Sequence, residues 1–366
     1  MAPRTLTQYL LDIGQRPDGH TYAHIASAVA VSVKLLAAAI SRGPLILSGI
    51  DDGGADPCSV NRHLRRLAPA IVLEQTSSLN QLAAVSLEGG VESLDGMPSW
   101  SRHYPRFSPV SASPEARYLL AVEALHGSVR LTENQSVGLC FSILERDEAA
   151  LCSQVQEDEF LQAGVRQLCA GMALFGPSTV LVLTTGCGVD AFTLDRDAGN
   201  FLLTHPQLRV PATTNVVAID PSESAHWPAP IKRYVEECVM GADGVRGEDF
   251  VLRWNASAVM GTFRVLMNGG VFIVPRLERS NGRGIPLLHT CAPLAMIVEQ
   301  AGGAAIDSAS RMLEQVPEAI DQRAPIIFGA REEVTRIRRY FLEHEKGYDV
   351  EPSYPLFHNR TLFAQP

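Results

Sequence analysis

The sequence predicts a layered α/β fold. Two observations carry that expectation. Apolar segments with helical spacing alternate with short β-branched runs, and the junctions fall on Gly and Pro turns. The chain has 366 residues, which at roughly 150 residues per domain fits one large or two ordinary domains.

Residues 5–42 have helical spacing, interrupted at Arg16-Pro-Asp-Gly19, with Asp18 or Thr21 as candidate caps for the second helix and Gly43-Pro44 as its stop. Short apolar runs follow at 44–50 and 70–74. Between residues 89 and 116 the periodicity disappears and Gly, Ser and Pro accumulate, as in a functional or mobile loop. Arg117–Val122 and Val137–Leu144 have strand composition. Thr179–Thr185 is β-rich and runs into Gly186; Ala191–Asp195 and Phe201–His205 pair across a turn as a hairpin. Val216–Ile219 and Gly270–Val274 fit buried strands. Pro228–Cys238, Ala256–Met267 and Pro293–Ala301 fit helices, the last ending on Gly302-Gly303. The last segment, 345–366, fits an extended tail.

Charged residues are 19% of the chain, apolar residues 46%, and the net charge is −9. That balance excludes a disordered chain and offers no basic patch for nucleic acid. The seven cysteines (Cys58, Cys140, Cys152, Cys169, Cys187, Cys238, Cys291) form no C-x-x-C pair. They fit buried thiols in a reducing cytoplasm rather than a zinc site or disulfide framework. No signal peptide is expected. The most apolar run, Ile25–Ile40, is about 16 residues and carries Lys34, too short to span a bilayer on the usual length requirement.

Eight ordered segments resemble class I fructose-1,6-bisphosphatase. They include Asn134-Gln-Ser-Val-Gly-Leu-Cys-Phe-Ser-Ile143, Gly171-Met-Ala-Leu-Phe-Gly-Pro-Ser-Thr-Val-Leu-Val-Leu-Thr-Thr-Gly186, and Gly188-Val-Asp-Ala-Phe-Thr-Leu-Asp195 with Phe201-Leu-Leu-Thr-His-Pro206. Ile231–Glu237, Asn268-Gly-Gly-Val-Phe-Ile-Val-Pro275, Leu287–Gly303 and Gln322-Arg-Ala-Pro-Ile-Ile-Phe-Gly329 continue the series. The resemblance implies a five-layer α-β-α-β-α sugar-phosphatase fold. It divides the chain into an N-terminal regulatory-type half (1–196, containing the loop 89–116), a C-terminal catalytic half (197–344) and the tail. It further implies a homo-oligomer, a dimer or tetramer, and hydrolysis of a sugar phosphate by Mg²⁺ ions held by carboxylates.

At the positions that would hold those ions, the family's Asp-Pro-Leu-Asp-Gly-Ser-Ser aligns with Glu123-Ala-Leu-His-Gly-Ser-Val129, and its Ser-Glu-Glu with Ser86-Leu-Glu88. A metal-binding Glu aligns with Thr290, and the Asp-bearing loop with Arg65–Pro69. In the sugar-phosphate clamp, Asp220, Val274 and Gly284 replace Asn, Tyr and Lys, while Arg253 is retained beside Trp254. Arg117-Tyr118 match a phosphate-binding Lys-Tyr of an effector site, and whether a nucleotide binds there is open.

The candidate catalytic residues are therefore Glu123, His126 and Glu88. Arg253, Trp254, His289, Thr290 and Ser128 are the candidate substrate-binding residues. Three readings remain open: polar linings of an inactive site, one transition-metal ion on Glu88, Glu123 and His126, or metal-free acid–base chemistry with His126 titrating near neutrality. The expectation drawn is a repurposed, metal-independent enzyme acting on a small metabolite, with no cofactor, a divalent metal being conceivable only outside the family's Mg²⁺ cluster. The alternatives are a non-catalytic ligand-binding regulator and, third, a residual phosphatase with a remodelled metal site. The expected partner is a small molecule, with neither nucleic acid nor membrane.

Overall fold

The computed structural model describes residues 4–15, 22–47, 57–89, 106–111, 113, 116–151, 153–276 and 284–348. The candidate caps Asp18 and Thr21, most of the loop 89–116, and the tail beyond residue 348 lie outside the described residues.

Three helices open the chain: α1 (Leu6–Gly14), α2 (Ala23–Ser41) and α3 (Pro57–Thr76). A capping box starts α1, with Thr5 accepting from the Gln8 N–H and Gln8 accepting from the Thr5 N–H. Helix α2 has 19 residues, so by length and composition alone it could cross a membrane, which corrects the expectation that its apolar run is too short. It instead buries Ile25, Val29, Val33 and Leu36 in the first core. The apolar run 70–74 lies within α3.

The first sheet has eight strands: β1 (Leu82–Leu87), β2 (Phe107–Pro109), β3 (Tyr118–His126), β4 (Val137–Glu145), β5 (Cys169–Phe175), β6 (Thr179–Thr184), β7 (Val189–Asp195) and β8 (Asn200–His205). Their order is β2-β1-β3-β4-β5-β6-β7-β8. Only β1 and β3 pair in parallel; the other neighbours are antiparallel. Because β8 belongs to this sheet, the first half of the fold runs on through His205, beyond the 196/197 division.

The second half contains β9 (Val216–Ile219), α4 (Ala229–Met240), β10 (Val251–Trp254), α5 (Ala258–Asn268), β11 (Val271–Val274), β12 (Ile285–Pro286), α6 (Ala292–Gln300), β13 (Ala304–Ile306), β14 (Arg323–Ala324), β15 (Ile326–Gly329) and α7 (Arg331–Glu345). Its five-stranded sheet runs β10-β9-β11-β15-β13, and β12 pairs with β14 separately.

The cores show why the strand runs are apolar without a break. In β6, Leu181 and Leu183 face α1–α3, whereas Val180 and Val182 face the next layer. In β15, Ile326 and Phe328 enter that same middle core, while Ile327 packs with α4 and α7. Each sheet is covered on both faces, so both sets of alternating side chains are buried. The layers are α1–α3, first sheet, α5–α6, second sheet, α4 and α7. The expected five-layer fold is present.

Helix α7 corrects a smaller expectation. By composition the adjacent carboxylates Glu332-Glu333 and Glu236-Glu237 fit solvated helix faces, yet Glu333 is 5% exposed. It accepts from Arg246 (2.6 Å) and from the Tyr234 hydroxyl (2.7 Å). Glu237 accepts from the Tyr340 hydroxyl at 2.6 Å. These bonds tie α4 to α7, which a buried carboxylate requires.

Glycine at 171 is set by a close approach. A Cβ there would lie 2.3 Å from the Phe141 ring, which is itself buried. Gly171→Ala is expected to destabilise the protein by about 1–3 kcal/mol through overpacking. Urea denaturation measures this, and an unchanged midpoint would contradict the packing described.

Candidate functional site

Strands β1 and β3 run parallel, with Ser86 opposite Ala121 and Leu87 opposite Val122. Their C-terminal ends therefore emerge side by side, and the Glu88 N–H is bonded to the Val122 carbonyl at 2.9 Å. Carboxyl ends of parallel strands are where open sheets place ligand chemistry. Residues three apart on a regular strand face opposite sides. Here the pairing of β3 with β4 shifts register between Glu123 and His126, and such a bulge re-aims side chains. The result is that both Glu123 oxygens lie 2.9 Å from His126 Nδ1.

The opposite wall comes from a single π-helical turn, Leu287–Cys291, immediately before α6. Widened turns of this kind recur at functional sites. This one points Thr290 at Glu123, whose Oε2 accepts the threonine hydroxyl, and His289 at Ser86, with 2.8 Å between Nε2 and Oγ. The two halves of the chain thus meet through side chains at this point. Ser128 begins the next 3-10 turn, Ser128–Glu133, and is buried. Glu88 is half-buried and pairs with Arg323 at 2.8 Å.

The electrostatics separate the two carboxylates. Burial alone would raise the Glu123 pKa, but His126, the Thr290 hydroxyl and His289 outweigh it and hold the group below its ordinary value. Burial, followed by the negative field of Glu123, raises Glu88, with Arg323 opposing. Burial lowers His289 to about 4, so its ring is neutral near pH 7, and its Nδ1 has no hydrogen-bond partner among the described residues. Cys140 and Cys291 are buried thiols raised by burial and by Glu123, so neither supplies a thiolate nucleophile.

The structure thus gathers Glu88, Glu123, His126, His289, Thr290 and Ser128 around the ends of β1 and β3. It places Arg253 and Trp254 elsewhere, on exposed edge strand β10, beside a cavity of about 500 Å³ lined also by Asn255 and Arg264. Arg117 is paired with Glu145 at 3.0 Å, and Tyr118 packs edge-on against Tyr22. Arg323 was not singled out from the sequence. Its signal was its place in the matched run Gln322-Arg-Ala-Pro.

The chain matches the fructose-1,6-bisphosphatase N-terminal domain over residues 100–206 and the C-terminal domain over residues 210–342. The chain belongs to the fructose-1,6-bisphosphatase family. It is 37% identical over 370 aligned residues to the fructose-1,6-bisphosphatase class 1 of Methylacidiphilum infernorum, covering 99% of this chain and 98% of that one. It is 46% identical over 253 residues to the class 1 enzyme of Hydrogenophilus thermoluteolus, covering 68% of this chain and 69% of its relative. Among solved structures, Leishmania major fructose-1,6-bisphosphatase in its holo form superposes with a TM-score of 0.79 at 27% identity, over 93% of this chain and 99% of that one.

These relationships overturn two expectations. Relatives this similar over most of the chain carry the name of the ordinary enzyme, so neither the repurposed metal-independent enzyme nor the non-catalytic regulator stands. The expectation of no cofactor falls with them, because membership of this family implies a divalent metal.

Glu88 and Glu123 are hard oxygen donors of the kind that Mg²⁺ takes. As placed, however, the Glu123 oxygens hold His126 and Thr290, and Glu88 holds Arg323. Among the described residues no three His, Cys, Asp or Glu side chains are grouped to hold a metal ion. This arrangement does not fit a multinuclear cluster, and no chemical step is assigned through one.

His289 gives the site a measurable pH signature. Its folded-state pKa of about 4 lies below the unfolded value of 6.5. The unfolded chain therefore binds more protons between these values, and stability rises as pH climbs through that window. His289→Gln is expected to flatten the rise by about 3 kcal/mol, read from urea unfolding between pH 4 and 7. An unaltered slope would show that the ring is not buried neutral.

Proposed function

We propose that this chain hydrolyses a phosphate monoester of a phosphorylated sugar, with fructose 1,6-bisphosphate, named by its relatives, as the first substrate. The observation that carries the reading is the buried Glu123–His126 pair, closed by Thr290 where the two halves of this family fold meet. In the reaction a water oxygen attacks phosphorus, the bond to the sugar oxygen breaks, and the sugar leaves as an alcohol with inorganic phosphate as the other product. A proton must leave the water and one must reach the sugar oxygen. His126 is the side chain assigned to that transfer. Glu123 is a positioning residue that fixes the imidazole through Nδ1, as carboxylates do in other His-centred sites. Thr290 and His289 fix the wall opposite.

A homo-oligomer belongs to this reading. Strand β10 is an edge strand that leaves Val251, Leu252 and Trp254 exposed, a surface that a second copy would cover, bringing Arg253 to an interface. Buried free thiols at Cys140, Cys169, Cys238 and Cys291 support a cytoplasmic location.

Phosphate release from fructose 1,6-bisphosphate, assayed with Mg²⁺, Mn²⁺ and Zn²⁺ in turn, tests the reading. Turnover is expected with at least one ion. His126→Asn and Glu123→Gln are expected to lower kcat by about 10²–10⁴-fold, with circular dichroism unchanged. No release with any of the three ions would overturn the proposal.

A further inference from the structure

A cavity of about 720 Å³ is remote from the site at the ends of β1 and β3; none of Glu88, Glu123, His126, His289 or Thr290 lines it. It lies between the C-terminal end of α2, the start of α3, the segment after β3, and the β5–β6 turn. Its volume is that of a metabolite site. Ile40, Leu64 and Phe175 form an apolar floor, and Arg42 and Arg196 stand at its rim. Among the described residues no Asp or Glu lines it. Arg42 donates to the Leu45 carbonyl at 3.3 Å, and neither arginine has an ion pair among the described residues.

A second observation points to a ligand. Thr179 lines the same cavity at 1% exposure, and its hydroxyl has no hydrogen-bond partner among the described residues. Buried polar groups are normally satisfied, and one left open on a cavity wall is a docking point for a polar atom from outside the chain. Two guanidiniums with no ion pair among the described residues favour an anion, because Arg forks match phosphate and carboxylate oxygens. The apolar floor selects a hydrophobic body on that anion.

We propose that this cavity binds an amphipathic anion, an aromatic or alkyl body bearing a phosphate or carboxylate head, as an effector site separate from the reaction centre. The connection to chemistry is direct in the chain. The wall residues Leu131, Thr132, Asn134 and Ser136 follow within ten residues of His126, so a ligand held there fixes the segment that leaves the site. The proposal does not rest on the phosphatase reading.

Phenylphosphonate, an aromatic ring carrying a non-hydrolysable dianion, is the probe, titrated into the full chain by calorimetry beside inorganic phosphate. Saturable phenylphosphonate binding is expected, tighter than phosphate. Arg42→Glu and Arg196→Glu, both at exposed positions, are each expected to weaken it at least tenfold. Thr179→Val is expected to weaken it several-fold with no loss of thermal stability, and Glu123→Gln to change it less than twofold. Binding abolished by Glu123→Gln but kept in both arginine variants would place the anion in the reaction centre and overturn the proposal. Equal affinity for phosphate and phenylphosphonate would overturn the apolar part. Absence of binding, with a native mass that falls in Arg196→Glu, would assign the cavity to contact with a second copy instead.

Discussion

The middle helical layer is the constraint on which the rest of the molecule depends. Every residue of α6 from Ala292 to Val298 is buried, so this helix has no polar face to give to solvent and must lie between two apolar surfaces. The two sheets supply them. Cys140, Ala170 and Met172 approach it from the first sheet and Phe272, Ile326 and Phe328 from the second. The position of α6 then dictates that of the π turn preceding it. That turn delivers His289 to Ser86 and Thr290 to Glu123, so the geometry of the candidate site follows from burial of a helix that carries no chemistry.

The same layer explains why the polar cluster is tolerated. An ionised carboxylate at 8% exposure would be costly without partners. Glu123 has two hydrogen-bonding neighbours, the His126 ring and the Thr290 hydroxyl. Removing either leaves the other bearing a buried charge, which is why single substitutions here disturb more than the bond they delete. His289 bears the complementary cost. It is held neutral by burial, with one ring nitrogen bonded to Ser86 and the other without a partner among the described residues.

Much of the fold was legible in the sequence because both faces of each sheet are apolar. The runs Thr179–Thr185 and Gly270–Val274, the helix from Pro293 and the Gly302-Gly303 stop were visible as local patterns. Glu123 and His126 were legible as a pair through the resemblance, but their contact required a β-bulge, and nothing in Glu123-Ala-Leu-His126 encodes a register shift. Glu333 misled because its partner Arg246 is 87 residues away. A carboxylate on an amphipathic helix reads as solvated until the arginine that buries it is placed. Thr179 was equally silent, since one threonine opening an apolar strand is ordinary until its hydroxyl is found without a partner among the described residues. The functional expectation failed differently. It weighed a few replaced ligand positions above the scaffold, whereas identity of 37% across nearly the whole chain records the family more fully than those positions do.

Glu88 and Glu123 bear on how the site divides its labour. They occupy the ends of adjacent parallel strands and feel each other's charge. In such a pair the environment decides which group stays ionised. Glu123 receives the hydrogen bonds and the imidazole, and is driven toward the carboxylate. Glu88 receives the desolvation and the repulsion, and is driven toward the acid, with Arg323 limiting the rise. A positive charge arriving between them would reverse the push on Glu88 at once, because the repulsion that raises it would become a shared attraction. Glu88 is thus the carboxylate that its surroundings raise, and Glu123, held by His126 and Thr290, the one they lower.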